Sequence, residues 1–539
     1  MSRHIPLLSA LLSTSLLVGA HAADVPAGTT LADSQVFTYR ALDEVSSFDP
    51  QVIEDADGAD IARDLFEGLY NQDADGNIVP GVALSHTVSD DNKTYTFTLR
   101  DTAKWSDGKP VTAGDFVYAW QRAVDPELAS PYAWYMELMS IENASAIIAG
   151  EKPITDLAVE ATDNHTFVVK LSQPLPYFAK MVSHTTTFPS PKWTIDAFGS
   201  DWTKPENIVT NGAYVLTEHV AKERSTRERN PMYWDNAHTV IDKVVTLVIG
   251  DDSQALTRYR AGEVDKTDIP AGQYPSLAAE LPDEAYALPR LCNYYFTFNM
   301  SENGPEAFKD ERVRQALSYA IDRQVIVDQV LQGGQFPAFT FTPAATAGFE
   351  VPAVDIAGMT QAERDAKAKE LLAEAGYGPD GEKLAFNYLY NSSEAHQKVA
   401  IVASQMWKQK LGVDVTLENL EWKVFLETRG AQNYDMARGA WCGDYNEAST
   451  FLDLLTTPSG YNDGKYSNAR VDELMAEAKS SQDTQPLYTE VEEILADEMP
   501  VVPVYHYSTN IMLKDTIKGW PIHNVEQNMY SKDMYIVAE

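Results

Sequence analysis

From Arg438 to Glu447 the chain reads Arg-Gly-Ala-Trp-Cys-Gly-Asp-Tyr-Asn-Glu, which sets a cation, a bulky aromatic and a carboxylate in one short segment. If the segment is extended, Arg438 and Asp444 lie an even number of residues apart and project from one face. Buried charges persist only with partners. A wall carrying both signs therefore suits an internal Arg438–Asp444 ion pair, or it suits a small zwitterion whose ammonium meets Asp444 and whose carboxylate meets Arg438. A peptide with free ends is such a zwitterion. Spacing alone leaves both readings open.

Catalytic chemistry has less to stand on. The chain contains no GxSxG, HExxH or GxxxxGK[ST] pattern. Its two cysteines, Cys292 and Cys442, form no CxxC and its ten histidines no HxxxH pair, so no metal and no cofactor are expected. His165, His184, His219, His238 and His523 stand among polar neighbours and read as surface residues rather than bases. Carboxylate pairs are common in so acidic a chain and discriminate nothing. A secreted peptidase is thus the remote alternative to a binding protein.

The compartment is read from the first residues. Arg3 and His4 precede an apolar run from Leu7 to Val18, and Ala20-His21-Ala22 leads into a polar stretch, the pattern of a secretory signal peptide over 1–22 cleaved after Ala22. The first cysteine is Cys292, so a lipid-anchored start is excluded. No other stretch has the eighteen or so apolar residues that span a membrane, so the mature protein is expected to be soluble, exported and not membrane-inserted. In an oxidising compartment Cys292 and Cys442 form one disulfide closing a long loop, which restricts the unfolded chain by roughly 4–5 kcal/mol, or they remain two free thiols. The formal charge of −37, one unit more negative without Arg3, repels nucleic acid and anionic lipid.

The elements that must position the segment are those of a mixed α/β protein, and 539 residues are too many for one core, so two or three domains are expected. Thr94 to Arg100 and Phe167 to Leu171 alternate as half-buried strands. Ala113 to Ala123 places Phe116, Ala119 and Trp120 at helical spacing. Asp310 caps a helix with Val313, Ala316, Leu317, Ala320 and Ile321 on its inner face. A helix from Gln361 to Ala375 stops at Gly376, followed by Gly378-Pro379. A strand, a helix from about Ser393 to Leu411 and a strand carrying Val413, Val415 and Leu417 form a βαβ unit.

Long stretches in the right order resemble the periplasmic oligopeptide-binding proteins of peptide ABC importers (bacterial extracellular solute-binding protein family 5), murein-peptide-binding relatives included. They are Ala23-Asp-Val-Pro-Ala-Gly, Arg63-Asp-Leu-Phe-Glu-Gly-Leu69, Ala103-Lys-Trp-Ser-Asp-Gly108, Asn207-Ile-Val-Thr-Asn-Gly-Ala-Tyr214, Arg229-Asn-Pro-Met-Tyr-Trp-Asp235, Val313-Arg-Gln-Ala-Leu317 with Asp322-Arg323, and Trp441-Cys-Gly-Asp-Tyr-Asn-Glu447. The resemblance implies a three-domain Venus flytrap: domain I from 23–66, 191–291 and 509–539, domain II from 67–190 and domain III from 292–508. It implies a monomeric, non-enzymatic receptor that encloses peptides of about two to five residues and delivers them to an ABC permease. Peptide main chain would pair as an added strand while side chains enter hydrated pockets.

By resemblance Asp444 receives the peptide ammonium, Arg438 and Arg429 meet its carboxylate, and His396 serves that carboxylate at another peptide length. Glu54, Tyr132, Trp422, Trp441 and Tyr507 are backbone partners or pocket walls, and Cys292 pairs with Cys442. Two departures stand out. Leu331 replaces a family lysine that serves some peptide lengths, and Lys266-Thr-Asp-Ile-Pro270 lacks a Tyr-Asn that touches peptide. A narrower receptor, for murein tripeptide or another amine-bearing ligand, is the alternative.

Overall fold

The computed structural model describes residues 23–378, 381–481 and 483–538; the signal segment 1–22 and Pro379 of the helix stop lie outside the described residues. An eleven-stranded mixed sheet runs through both halves of the chain. Its order is Asp414–Leu420, Ala385–Asn391, Met436–Cys442, Ala285–Phe298, Val501–Leu513, Lys266–Asp268, Val36–Ala41, Lys243–Val248, Arg224–Arg229, Tyr214–Val220, with Phe336–Pro337 pairing off this path on Val501–Leu513. Parallel and antiparallel pairs come in blocks along it: two parallel, three antiparallel, two parallel and two antiparallel.

The βαβ unit expected from the sequence is present. Ala385–Asn391 and Asp414–Leu420 pair in parallel, joined by the helix Glu394–Leu411, which ends at Gly412 with φ +72°. A left-handed residue there favours glycine, which has no Cβ to strain. The helix Glu311–Tyr319 is capped by Asp310, whose carboxylate accepts from the Arg312 amide. A separate four-stranded antiparallel sheet, Ala83–Val88, Thr94–Leu99, Thr166–Lys170 and Val159–Asp163, is covered by the helix Ala113–Ala123.

Two long strands carry the segment of interest. Ala285–Phe298 pairs antiparallel with Met436–Cys442, opposing Cys292 to Cys442 and Phe296 to Arg438, and the cysteines are bonded. Apolar packing continues across this strand into the region of the four-stranded sheet. One buried cluster holds Phe97, Trp120 and Tyr135 together with Trp441, Tyr445 and Phe451. That continuity seats Asp444 against residues some three hundred positions earlier. Among the described residues, no helix is long and apolar enough to cross a membrane.

Candidate functional site

A cavity of about 380 Å³ with charged and aromatic walls lies between these regions, within the ~300–1,000 Å³ range of small-ligand sites. All nine residues singled out in the sequence line it: Glu54, Tyr132, His396, Trp422, Arg429, Arg438, Trp441, Asp444 and Tyr507.

The Asp444 end is held by local structure. The strand stops at Cys442, so the extended run ends two residues short of Asp444. The Gly443 amide then donates to Leu291 O at 2.8 Å, and a Cβ on Gly443 would fall 2.7 Å from Leu291 Cδ2. The Asp444 amide donates to Thr450 Oγ1 at 3.0 Å, fixing the turn. The carboxylate is 8% exposed. Its Oδ1 accepts from the Tyr132 hydroxyl at 3.3 Å and lies 3.4 Å from His184 Nε2. Its Oδ2 is buried without a hydrogen-bond partner. Aromatic rings wall it in: Tyr132 stacks on His184 at 5.0 Å and on Trp441 at 6.4 Å, and Tyr461 lies 5.1 Å from Trp441. Burial, reinforced by the Asp444 charge, holds the Tyr132 hydroxyl well above its usual range, so it stays a donor.

The basic side is built on the strand and on the helix Trp422–Gly430. Arg438 is buried; its Nη2 donates to the Tyr507 hydroxyl at 3.1 Å and its guanidinium lies 5.4 Å from the ring centre of Tyr294. It makes no ion pair with Asp444 or any other carboxylate among the described residues, and its Nε is unpartnered. The internal-pair reading is therefore corrected. Arg429 differs: its Nε sits 2.7 Å from Asp463 Oδ2, a close ion pair whose angle misses hydrogen-bond alignment. Burial opposes the Arg429 charge and Asp463 more than offsets it.

Burial, then the Arg438 charge, lowers the His396 pKa well below its usual value, so this ring is neutral and acts by hydrogen bonding. Its Nδ1 is unpartnered. Glu54 accepts from the Tyr461 hydroxyl at 3.3 Å, and burial raises its pKa against the pull of Arg429. Trp422 is half-buried, stacks on Phe425 at 5.9 Å and donates its amide to Asp43 at 3.5 Å.

Buried polar atoms in folded proteins nearly always have partners. Twenty-five buried side-chain atoms lack one among the described residues, and ten belong to residues lining this one cavity, which marks it as shaped for a polar occupant. They include Asp444 Oδ2, Arg438 Nε, His396 Nδ1 and Trp441 Nε1.

Sequence reasoning missed several wall residues. His184, read as a surface residue, is buried beside Asp444, whereas the other four histidines of that group are half-buried or exposed. Tyr461 and Glu526 line the cavity from other segments, and Asp463 pairs with Arg429 without lining it; no local pattern in the sequence announces them. Leu331, at the position of the family lysine, is packed in an apolar core with Val327 and Tyr505, away from the cavity. In the other departing stretch, Asp268 faces the cavity.

A cleft with unsatisfied groups of both charges, set between a large mixed sheet and a second sheet, defines a protein that takes up a small solute. The chain belongs to the bacterial extracellular solute-binding proteins, family 5, whose middle region matches residues 77–463. It is 46% identical over 538 residues to the periplasmic oligopeptide-binding protein OppA of Escherichia coli K12, covering 98% of both chains. It is 45% identical over 532 residues to the periplasmic murein peptide-binding protein MppA of the same organism, again 98% of both. The structure of E. coli murein tripeptide-binding protein MppA matches with a TM-score of 0.92 at 44% identity, over 95% of this chain and 100% of that one. The unliganded open form of MppA, at the same identity and over 95% and 99%, matches at only 0.69. The present arrangement is thus unlike the open form. Haemophilus influenzae OppA in complex with RPPGFSPFR matches at 0.89 with 39% identity, over 94% and 100%. The fold is the multi-domain α/β periplasmic-binding-protein fold that the resemblance implied.

Proposed function

We propose that this protein is a periplasmic receptor that captures short peptides between closing lobes and hands them to an ABC permease. The observation that carries the reading is the buried, half-satisfied carboxylate of Asp444 in the same cavity as the unpaired Arg438. Asp444 binds the peptide ammonium through a charge-assisted bond in a poorly screened site. Arg438 takes the carboxylate at one peptide length; Arg429, already paired with Asp463, and neutral His396 assist at others. Glu54 and Tyr507 bond main chain, and Tyr132, Trp422 and Trp441 wall side-chain pockets.

The protein is a non-enzymatic monomer needing no cofactor, exported by cleavage after Ala22 and not lipid-anchored. Its domains follow the divisions 23–66 with 191–291 and 509–539, 67–190, and 292–508. In a titration followed by calorimetry and thermal melting, trialanine and tetraalanine bind and raise the melting temperature, and their N-acetylated forms do neither. Equal binding of acetylated peptides overturns the reading.

A narrower ligand, murein tripeptide, is the second reading. Its support is the identity to MppA, 45% against 46% for OppA. Competition of murein tripeptide against trialanine separates the two.

A further inference from the structure

Glu526, on the segment after the last long strand, lines the cavity and is 8% exposed. Its Oε2 accepts from Gln72 Nε2 at 2.9 Å, while its Oε1 is buried with no partner. Gln72 is itself fixed by Asn524 and Asn528, whose amides donate to its Oε1 at 3.0 and 2.7 Å, so the carboxylate is held rather than free to swing away. Arg63 and Lys180 lie close enough to be felt but neither pairs with it. Arg63 is bonded to Asp60 at 2.8 Å and Lys180 to Asn446 O at 3.2 Å. The residues before the two carboxylates meet on Leu291, whose amide donates to Val525 O at 2.6 Å and whose carbonyl accepts from the Gly443 amide at 2.8 Å, and Glu526 feels the charge of Asp444. One cavity thus holds two neighbouring buried carboxylates, each with one oxygen unsatisfied.

A single α-ammonium answers only Asp444, and Arg63 and Lys180, engaged elsewhere, leave Glu526 Oε1 without a partner, so a second ligand cation finds an acceptor there. We infer that Glu526 forms a side-chain pocket for lysine or arginine near the amino terminus of the bound peptide, making the receptor selective for peptides that begin with a basic residue or carry one at the second position. The inference rests on the peptide reading above. Burial pushes the Glu526 carboxyl up to about 7, which fits a group waiting for a cation.

The test is calorimetric titration at pH 8 with Lys-Ala-Ala, Ala-Lys-Ala and Ala-Ala-Lys, each against the peptide with norleucine in place of lysine. In the unaltered protein lysine at position one or two should bind about tenfold tighter than norleucine or more. At position three the ratio should stay near one. In Glu526→Gln the advantage should collapse towards one, the norleucine peptides serving as the check that the cavity still forms. A ratio near one at all positions of the unaltered protein overturns the inference whatever the variant does, as does an advantage that survives Glu526→Gln. If norleucine and lysine peptides bind equally, the peptide reading stands and this inference falls; if none binds, both fall.

Discussion

Two buried charge stations in this molecule look alike in composition and differ in saturation. Arg227 and Asp64 are 0% and 1% exposed and meet at 3.0 Å. The Arg227 guanidinium also donates to Ser225, Thr246 and Tyr39, and Asp64 accepts from the Ser531 amide and hydroxyl. Nothing is left over. The Asp444 and Arg438 side chains are also largely withdrawn from solvent, yet they do not pair, and each keeps a polar atom unsatisfied. Breaking a saturated station harms the fold; an unsaturated one costs the empty protein stability that a ligand can return.

The largest expected effect breaks the saturated side. Arg227→Met strands the Asp64 carboxylate and should lower unfolding stability by about 3–5 kcal/mol in urea titrations. Peptide affinity of the folded fraction should be unchanged. A variant as stable as the parent would erase the contrast.

Asp444→Asn reverses the pattern. Affinity for trialanine should fall by about 2–5 kcal/mol, because a bound ammonium loses its counter-charge, while the melting temperature of the empty protein should hold or rise. Calorimetry and a thermal melt read both. A loss of stability without loss of affinity would put Asp444 in the same class as Asp64.

How much of this was legible beforehand follows from range. The helix Ala113–Ala123, the Asp310 cap and the βαβ unit are written in local periodicity and capping chemistry, and they stand where the sequence places them. Arg438, Trp441 and Asp444 stand out in one segment, but the other six cavity residues were reached through the family resemblance, since no spacing connects Glu54 or Tyr132 to Asp444. Local reasoning on Arg438 and Asp444 assumed an extended run that ends at Cys442. His184 and Glu526 were invisible for a plainer reason. Their significance is a distance to Asp444, and the chain supplies that only after some 260 and 80 residues respectively have folded between.

The contrast sharpens within the basic side. Arg438→Met should weaken a peptide whose carboxylate reaches it by about 1.5–3 kcal/mol, and the same peptide as its C-terminal amide should lose much less. Arg429→Met leaves the half-buried Asp463 without its cation, so its main cost should fall on stability. Comparing di-, tri- and tetraalanine with their amides in both variants assigns a length to Arg438. If the two variants behave identically, the Asp463 pairing does not distinguish them.

The smallest effect is a pH dependence at Glu526. Burial raises this carboxyl from 4.5 to about 7, against the opposing pull of Gln72, Arg63 and Lys180 and with a further push from Asp444. Between those values the folded protein holds a proton that the unfolded chain has released, so stability falls as pH rises through this window and levels off above it. The full span corresponds to about 3 kcal/mol at most. Glu526→Gln has no proton to lose. Its stability relative to the parent should therefore be nearly equal at pH 4.5 and climb to an advantage of about 1–3 kcal/mol at pH 8, in urea titrations of the empty proteins. Parallel curves would mean that the carboxylate is already neutralised without ligand, and Glu526 would then belong with the saturated stations.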